Sequence, residues 1–160
     1  MTVRMNLQES SPHVYRRMGA LEQAAHDACQ KAGIEPALHE LVKTRASQIN
    51  GCAFCLDMHT KDARAGGESE QRLYTLSAWR ETSFFSERER AALALAEEVT
   101  RISDHGVSEQ VWAEAEKQFD QEQLAALIWA IVAINSWNRL AISTGSPEPG
   151  SYQLTSETER

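Results

Sequence analysis

The eleven residues from Leu124 to Ile134 carry no polar side chain. A helix that is apolar on every face must be covered on every face. The segment from Gln121 to about Ser143 is therefore predicted to be the central core helix or an oligomer interface. At eleven residues the apolar run is too short to span a bilayer, which needs ~20. The rest of the chain is built to surround it.

Periodicity is helical nearly throughout. Val14, Met18, Leu21, Ala25, Ala28, Cys29 and Ala32 recur at three- and four-residue spacing, which predicts an amphipathic helix over about residues 12–32. Gly33 ends it, and Pro36 suits the first turn of a second helix striped by Leu38, Leu41, Val42, Ala46 and Ile49. Asn50-Gly51 breaks that helix. A third is expected from about Cys52 to Ala65, and a fourth is capped by Ser69. Trp79 to Phe85 reads as a loop. Ser86 with Glu89 three residues on forms a capping box, opening a helix striped by Ala92, Leu95, Ala96, Val99 and Ile102. Ser108 caps the next, and Asp120 caps the last. No strand pair, fixed-period repeat or glycine-rich phosphate loop is evident. The expected fold is all-α: one domain of about seven helices over residues 1–145. A tail follows at 146–160, either mobile or packed on a neighbouring subunit.

Length and charge narrow the function. At 160 residues the chain suits one domain with a real core. A net charge of −7 argues against nucleic-acid and anionic-membrane surfaces. The polar N-terminus has no signal-peptide core, so a cytoplasmic location is expected. In a reducing compartment, a CxxC pair is more often catalytic or metal-binding than structural.

That pair is Cys52-Ala53-Phe54-Cys55, with His59 four residues after the second thiol. The attacking species in thiol chemistry is the thiolate, so a reactive cysteine needs its pKa lowered. Asn50-Gly51 places Cys52 at a helix start, where free backbone N–H groups favour an anion. His59 sits one turn from Cys55 on the same face. On an ideal helix Cys52, Cys55 and His59 fall within about 60° of one another. A second thiol within reach captures a sulfenic acid as a disulfide. Helix-end electrostatics favour Cys52 as the attacking thiol, and proximity to His59 favours Cys55; the residues leave the order open. Cys29 lies in an apolar stripe and reads as core. His13, His26, His39 and His105 show no partner and read as structural. Trp112 and Trp129 also read as core. Trp79 and Trp137 could line the approach to the thiols or pack at a subunit contact. Arg139 could ion-pair or bind an acidic substrate.

Glu40 precedes Cys52 by twelve residues, and Ser47-Gln48-Ile49-Asn50-Gly51 leads into the pair. This spaced set resembles the alkylhydroperoxidase D-like proteins of the carboxymuconolactone decarboxylase superfamily. The segments Leu76–Glu81, Phe85–Leu93 and Asn135–Leu140 resemble that family too, so the likeness covers about residues 36–143. It implies an all-helical homo-oligomer, a trimer or hexamer, that reduces hydroperoxides. By the same resemblance Cys55 attacks the peroxide, Cys52 resolves, and Glu40 and His59 form a proton relay. Electrons come from a lipoylated or thioredoxin-like dithiol protein, with no metal or organic cofactor. The best-studied peroxidases of the family carry a further histidine between the cysteines, where this chain has Phe54. Glu40 lies on its helix opposite Leu38, Val42 and Ile49, beside Thr44 and Ser47. Periodicity alone predicts a solvated carboxylate there, and only the resemblance turns it toward the thiols. The alternatives are a thiol–disulfide oxidoreductase or redox sensor, an acid–base enzyme of the decarboxylase type, and a zinc module using Glu40, Cys52, Cys55 and His59.

Overall fold

The computed structural model describes residues 2–154. It is all helical, with no strand among the described residues. The elements are α1 (Leu7–Ser10), α2 (Pro12–Lys31), α3 (Pro36–Asn50), α4 (Ala53–Ala65), α5 (Glu70–Thr75), a 3-10 segment (Leu76–Glu81), α6 (Glu87–Thr100), α7 (Ile102–His105), α8 (Glu109–Gln118) and α9 (Gln121–Thr144). The seven anticipated helices are all present. Two four-residue helices, α1 and α7, are added to them. The expected loop at Trp79–Phe85 begins as the 3-10 segment.

Local chemistry sets the boundaries. Ser86 and Glu89 form the reciprocal capping box, and Asp120 with Gln123 forms a second at the start of α9. Ser69 and Ser108 each accept a backbone N–H at the head of their helices. Helix α3 ends on Gly51 at φ 71°, a left-handed conformation that glycine adopts without strain.

Helix α9 packs against α2, α3, α6 and α8. Leu124, Leu127, Ile131 and Ile134 are buried along it. Length and composition alone would let it cross a membrane, but here those residues form the protein core. The largest cluster joins Leu38 and Val42 of α3, Leu95 of α6 and Phe119 to these residues. Cys29 lies in this cluster, as expected, and burial pushes its thiol up to about 11. A second cluster gathers Leu41, Leu73, Leu76, Trp79, Phe85 and Leu93.

Several expectations of burial fail. Trp129 is 52% exposed on α9, so that helix is not covered on every face. Val14 and Ile102 are exposed as well. Ile102 falls beyond the end of α6, and Val14 sits in the first turn of α2. The polar face of α3 fails in the opposite direction. Thr44 and Ser47 are fully buried, because α4 and α9 both pack on α3. Residues 146–152 run back over the same chain: Lys61 donates to the Tyr152 carbonyl at 3.0 Å, and the Tyr152 hydroxyl to Asp62 at 2.5 Å. The end of the expected tail, 155–160, lies outside the described residues.

Candidate active site

Helices α3 and α4 form a hairpin whose turn delivers the cysteines. The Gly51 N–H bonds the Gln48 carbonyl and the Cys52 N–H bonds the Ser47 carbonyl, a Schellman closure of α3. Cys52 is therefore the N-cap of α4 rather than its first helical residue. Its Sγ accepts the Cys55 N–H at 3.3 Å. Cys52 and Cys55 are joined as a disulfide, with Cα atoms 5.4 Å apart. Both are buried in a small apolar cluster with Ala46, Ile134 and Ala141.

Buried amides hold this turn in place. Asn50 Nδ2 donates to Asn138 Oδ1 at 2.8 Å and to Asn135 Oδ1 at 2.9 Å. Asn138 donates in turn to Ser47 Oγ at 3.1 Å. Asn135 donates to Thr100 Oγ1 and to the Ile131 carbonyl, each at 2.9 Å. Arg139 donates to the Asn135 carbonyl and Oδ1; among the described residues it forms no ion pair, and it does not line the cavity in front of Cys55.

His59 is buried at 2% exposure on α4, and its Nδ1 lies 2.9 Å from Glu40 Oε2 on α3. Burial pushes the Glu40 carboxyl up. The hydrogen bond and charge of His59 outweigh that, with help from Lys43 and His39, and the net pKa falls below the ordinary carboxylate value. An ionised carboxylate only accepts, so His59 Nδ1 is the donor in this contact. Its Nε2 is buried and has no hydrogen-bond partner among the described residues. Glu40 is thus not the solvated carboxylate that periodicity predicted.

A cavity of about 530 Å³ opens in front of this pair. Cys55, His59, Phe54 and Met58 line it from α4, and Trp137 and Leu140 from α9. Cys52 is not among the lining residues. The segment around Leu7 and the Ser146-Pro147 turn complete the wall. Tyr15 of α2 packs edge-on against Trp137, ring centroids 5.3 Å apart.

Of the two tryptophans weighed for the approach, only Trp137 reaches the cavity. Trp79 is buried elsewhere and donates to Glu97 Oε1 at 2.8 Å. Glu97 is a buried hub that also accepts from Arg45 at 2.8 Å and Arg80 at 2.5 Å. His39 is buried with its ring 5.5 Å from that of His26, and burial followed by the charge of Lys43 lowers its pKa to about 4. Glu22, on the cavity wall and paired with Lys43 at 2.7 Å, carried no signal in the sequence. Its partner lies twenty-one residues away on another helix.

The donors that converge as candidate metal ligands are Glu40, His59 and Asp62, within 4.8 Å of one another, and not the cysteine pair. All three are already engaged, Glu40 and His59 with each other and Asp62 with Tyr152. The arrangement can therefore take a proton at His59 beside a dithiol, in a largely apolar chamber.

Comparison with known proteins agrees with this architecture. Residues 12–98 match the model of the carboxymuconolactone decarboxylase family. The uncharacterized protein YdfG of Bacillus subtilis is 41% identical over 91% of this chain and 97% of its own. The crystal structure of ATU0492 from Agrobacterium tumefaciens, a protein of unknown function proposed to be the antioxidant defence protein AhpD, superposes with a TM-score of 0.86. It is 38% identical and covers 92% of this chain and 99% of that one. An uncharacterized peroxidase-related protein with an alkylhydroperoxidase AhpD core, from Ralstonia eutropha, shares the fold at a TM-score of 0.71 and 21% identity. That match covers 86% of this chain and 72% of that one. With its helical hairpin, its CxxC disulfide and these relatives, the chain belongs to the carboxymuconolactone decarboxylase family as an alkylhydroperoxidase D-like protein.

Proposed function

We propose that this protein is a dithiol peroxidase that reduces organic or hydrogen peroxides through a Cys52–Cys55 cycle. The family membership supports an enzyme of the antioxidant or decarboxylase type. One observation selects within it: Cys55 and His59 line the same cavity, while Cys52 lies behind them within disulfide reach. That asymmetry favours Cys55 as the attacking thiol.

In the proposed cycle His59 Nε2 takes the Cys55 proton, and Glu40 stabilises the imidazolium through Nδ1. The thiolate attacks the distal peroxide oxygen and the O–O bond breaks. Cys55 becomes sulfenic acid, and the leaving alkoxide takes the proton from His59 as it departs as an alcohol. The Cys52 thiol then displaces water to give the disulfide. A lipoylated or thioredoxin-like dithiol protein reduces it and is itself oxidised. The cycle uses no metal or organic cofactor. Phe54 stands where the best-studied relatives carry a histidine, so the relay of Glu40 and His59 reaches Cys55 directly through His59 or through water. The reading includes a homo-oligomer, trimer or hexamer, in the cytoplasm, with no nucleic-acid or membrane partner. The exposed Trp129 and Val132 of α9 support a subunit contact.

The test is a thiol count by mass spectrometry on reduced protein, before and after one equivalent of cumene hydroperoxide. Wild type is expected to lose two thiols to a Cys52–Cys55 disulfide. Cys55→Ser should be inert, and Cys52→Ser should stop at sulfenic acid. Thiols that persist for minutes in peroxide would overturn the reading and favour thiol–disulfide exchange or acid–base chemistry.

A further inference from the structure

The disulfide is shut away from solvent: Cys52 is 1% exposed and Cys55 2%. Its reduction needs an incoming thiolate to attack one sulfur while the other leaves, so access helps set the rate. A sulfur that water barely touches is out of reach of a thiol carried on the surface of another folded protein. Part of the cavity wall has to move before such a partner can react.

One portion of the wall is suited to moving. Helices α2, α4 and α9 each carry buried side chains. The remaining lining residues are Asn6, Leu7 and Gln8 ahead of α2, and Ser146 and Pro147 after α9. Residues 2–10 and 146–154, to which they belong, include no buried residue. Segments with few buried contacts open at the lowest cost. The two segments meet at the end of α9. There the Arg4 N–H bonds the Thr144 carbonyl at 2.7 Å, and Arg4 Nη1 donates to the Ser143 carbonyl at 3.1 Å. Gly145 sits so close to the first segment that a Cβ would lie 2.6 Å from the Thr2 carbonyl oxygen. The second segment then runs past the cavity to α4, the helix of Cys55 and His59. Tyr152 fastens it there, accepting from Lys61 at its carbonyl and donating its hydroxyl to Asp62. An Asp62 oxygen lies within 4.8 Å of a Glu40 oxygen and of a His59 ring nitrogen, so the fastening point adjoins the relay.

We propose that residues 2–8 and 146–152 form a lid over the dithiol, latched by Tyr152 on Lys61 and Asp62, which lifts to let a protein dithiol reduce the Cys52–Cys55 disulfide. The need for repeated reduction rests on the peroxidase reading; the lid does not. With the lid raised, a partner thiolate attacks Cys55 Sγ, the sulfur on the cavity side. Cys52 leaves as a thiolate and takes up a proton. The partner's second thiol then displaces Cys55, giving two thiols here and a disulfide in the partner. A small dithiol fits the cavity of about 530 Å³ and needs only side-chain shifts to meet Cys55. The lid therefore governs large reductants and spares small ones.

The test compares two reductants of different size. Disulfide-form protein is reduced in parallel by dithiothreitol and by a reduced thioredoxin, with free thiols counted by mass spectrometry. Tyr152→Phe removes one bond of the latch, and Tyr152→Phe/Lys61→Met removes both. The thioredoxin rate should rise at least about tenfold in the double variant and less in the single one, because releasing a latch raises the population open to the partner. The dithiothreitol rate should stay within about threefold of wild type. Hydrogen exchange of peptides spanning residues 146–152 should quicken in the same order. Unchanged exchange there in both variants would show that Tyr152 is no latch. Quickened exchange with an unchanged ratio of the two rates, or no reduction by thioredoxin in any form, would show that the lid does not control access. Each of these results overturns the proposal. None of the measurements uses a peroxide. Protein that responds as expected but keeps its thiols in cumene hydroperoxide would lose the peroxidase reading and retain the lid.

Discussion

His59 Nδ1 and Glu40 Oε2 meet at 2.9 Å across two helices whose sequence separation at this contact is only nineteen residues. The contact makes Nδ1 the donor and leaves Nε2 buried without a partner among the described residues. Glu40→Gln removes the charge that stabilises an imidazolium. We expect peroxide-driven thiol loss to slow by about a hundredfold, within the range typical of lost acid–base assistance. Stopped-flow fluorescence against cumene hydroperoxide measures this, and a rate within twofold of wild type would remove Glu40 from the relay.

Asn138 is fully buried and ties α9 to the α3–α4 turn through Asn50 and Ser47. Asn138→Ala leaves Ser47 without its donor and Asn50 with one acceptor fewer. The expected cost is about 1–3 kcal/mol in urea unfolding, from buried polar groups left unpaired. Slower disulfide formation at an unchanged thiol count should accompany it.

Glu97 joins Arg45, Trp79 and Arg80 at the opposite side of α3. Burial pushes its carboxyl up, but the hydrogen bonds from Arg80, Trp79 and Arg45 bring its pKa below the ordinary value. Glu97→Gln leaves Arg45 buried without a counter-charge. A loss of about 3–5 kcal/mol is expected, as for other broken buried pairs. Thermal unfolding of the disulfide form checks this, and a change in midpoint of under about 2 °C would contradict it.

Low pH should weaken the fold in two windows of the same sign. His39 has a folded pKa of about 4 against 6.5 ordinarily, so between these values the unfolded chain holds a proton that the folded one lacks. Stability therefore falls as pH drops from about 6.5 to 4, by up to about 3 kcal/mol. Glu40, with its lowered pKa, stabilises above the ordinary carboxylate value and loses that contribution as pH falls below it. His39→Phe should flatten the upper window and leave the lower one. Urea midpoints between pH 7 and 3.5 would show both.

The helices were legible because their signals are local: Ser86 with Glu89, Asp120, Pro36 and Gly51 act within one turn of themselves. The dithiol and His59 were legible for the same reason. What periodicity misread were residues whose environment comes from another element. Thr44 and Ser47 look solvated on α3 until α4 and α9 cover them, and Trp129 looks buried until the described helices leave one side of α9 bare. Glu22 gave no signal because neither Lys43 nor the cavity is near it in sequence.

The hairpin of α3 and α4 carries all four groups assigned to the chemistry, whereas Leu7, Glu22, Trp137 and Pro147, which shape the chamber, come from other parts of the chain. On the proposed reading, the reacting groups and most of the chamber wall therefore belong to separate segments. Substitutions in α1, α2 or the end of α9 can retune which molecules are admitted without disturbing the thiols, and a lineage built on this scaffold can change its diet while keeping its teeth.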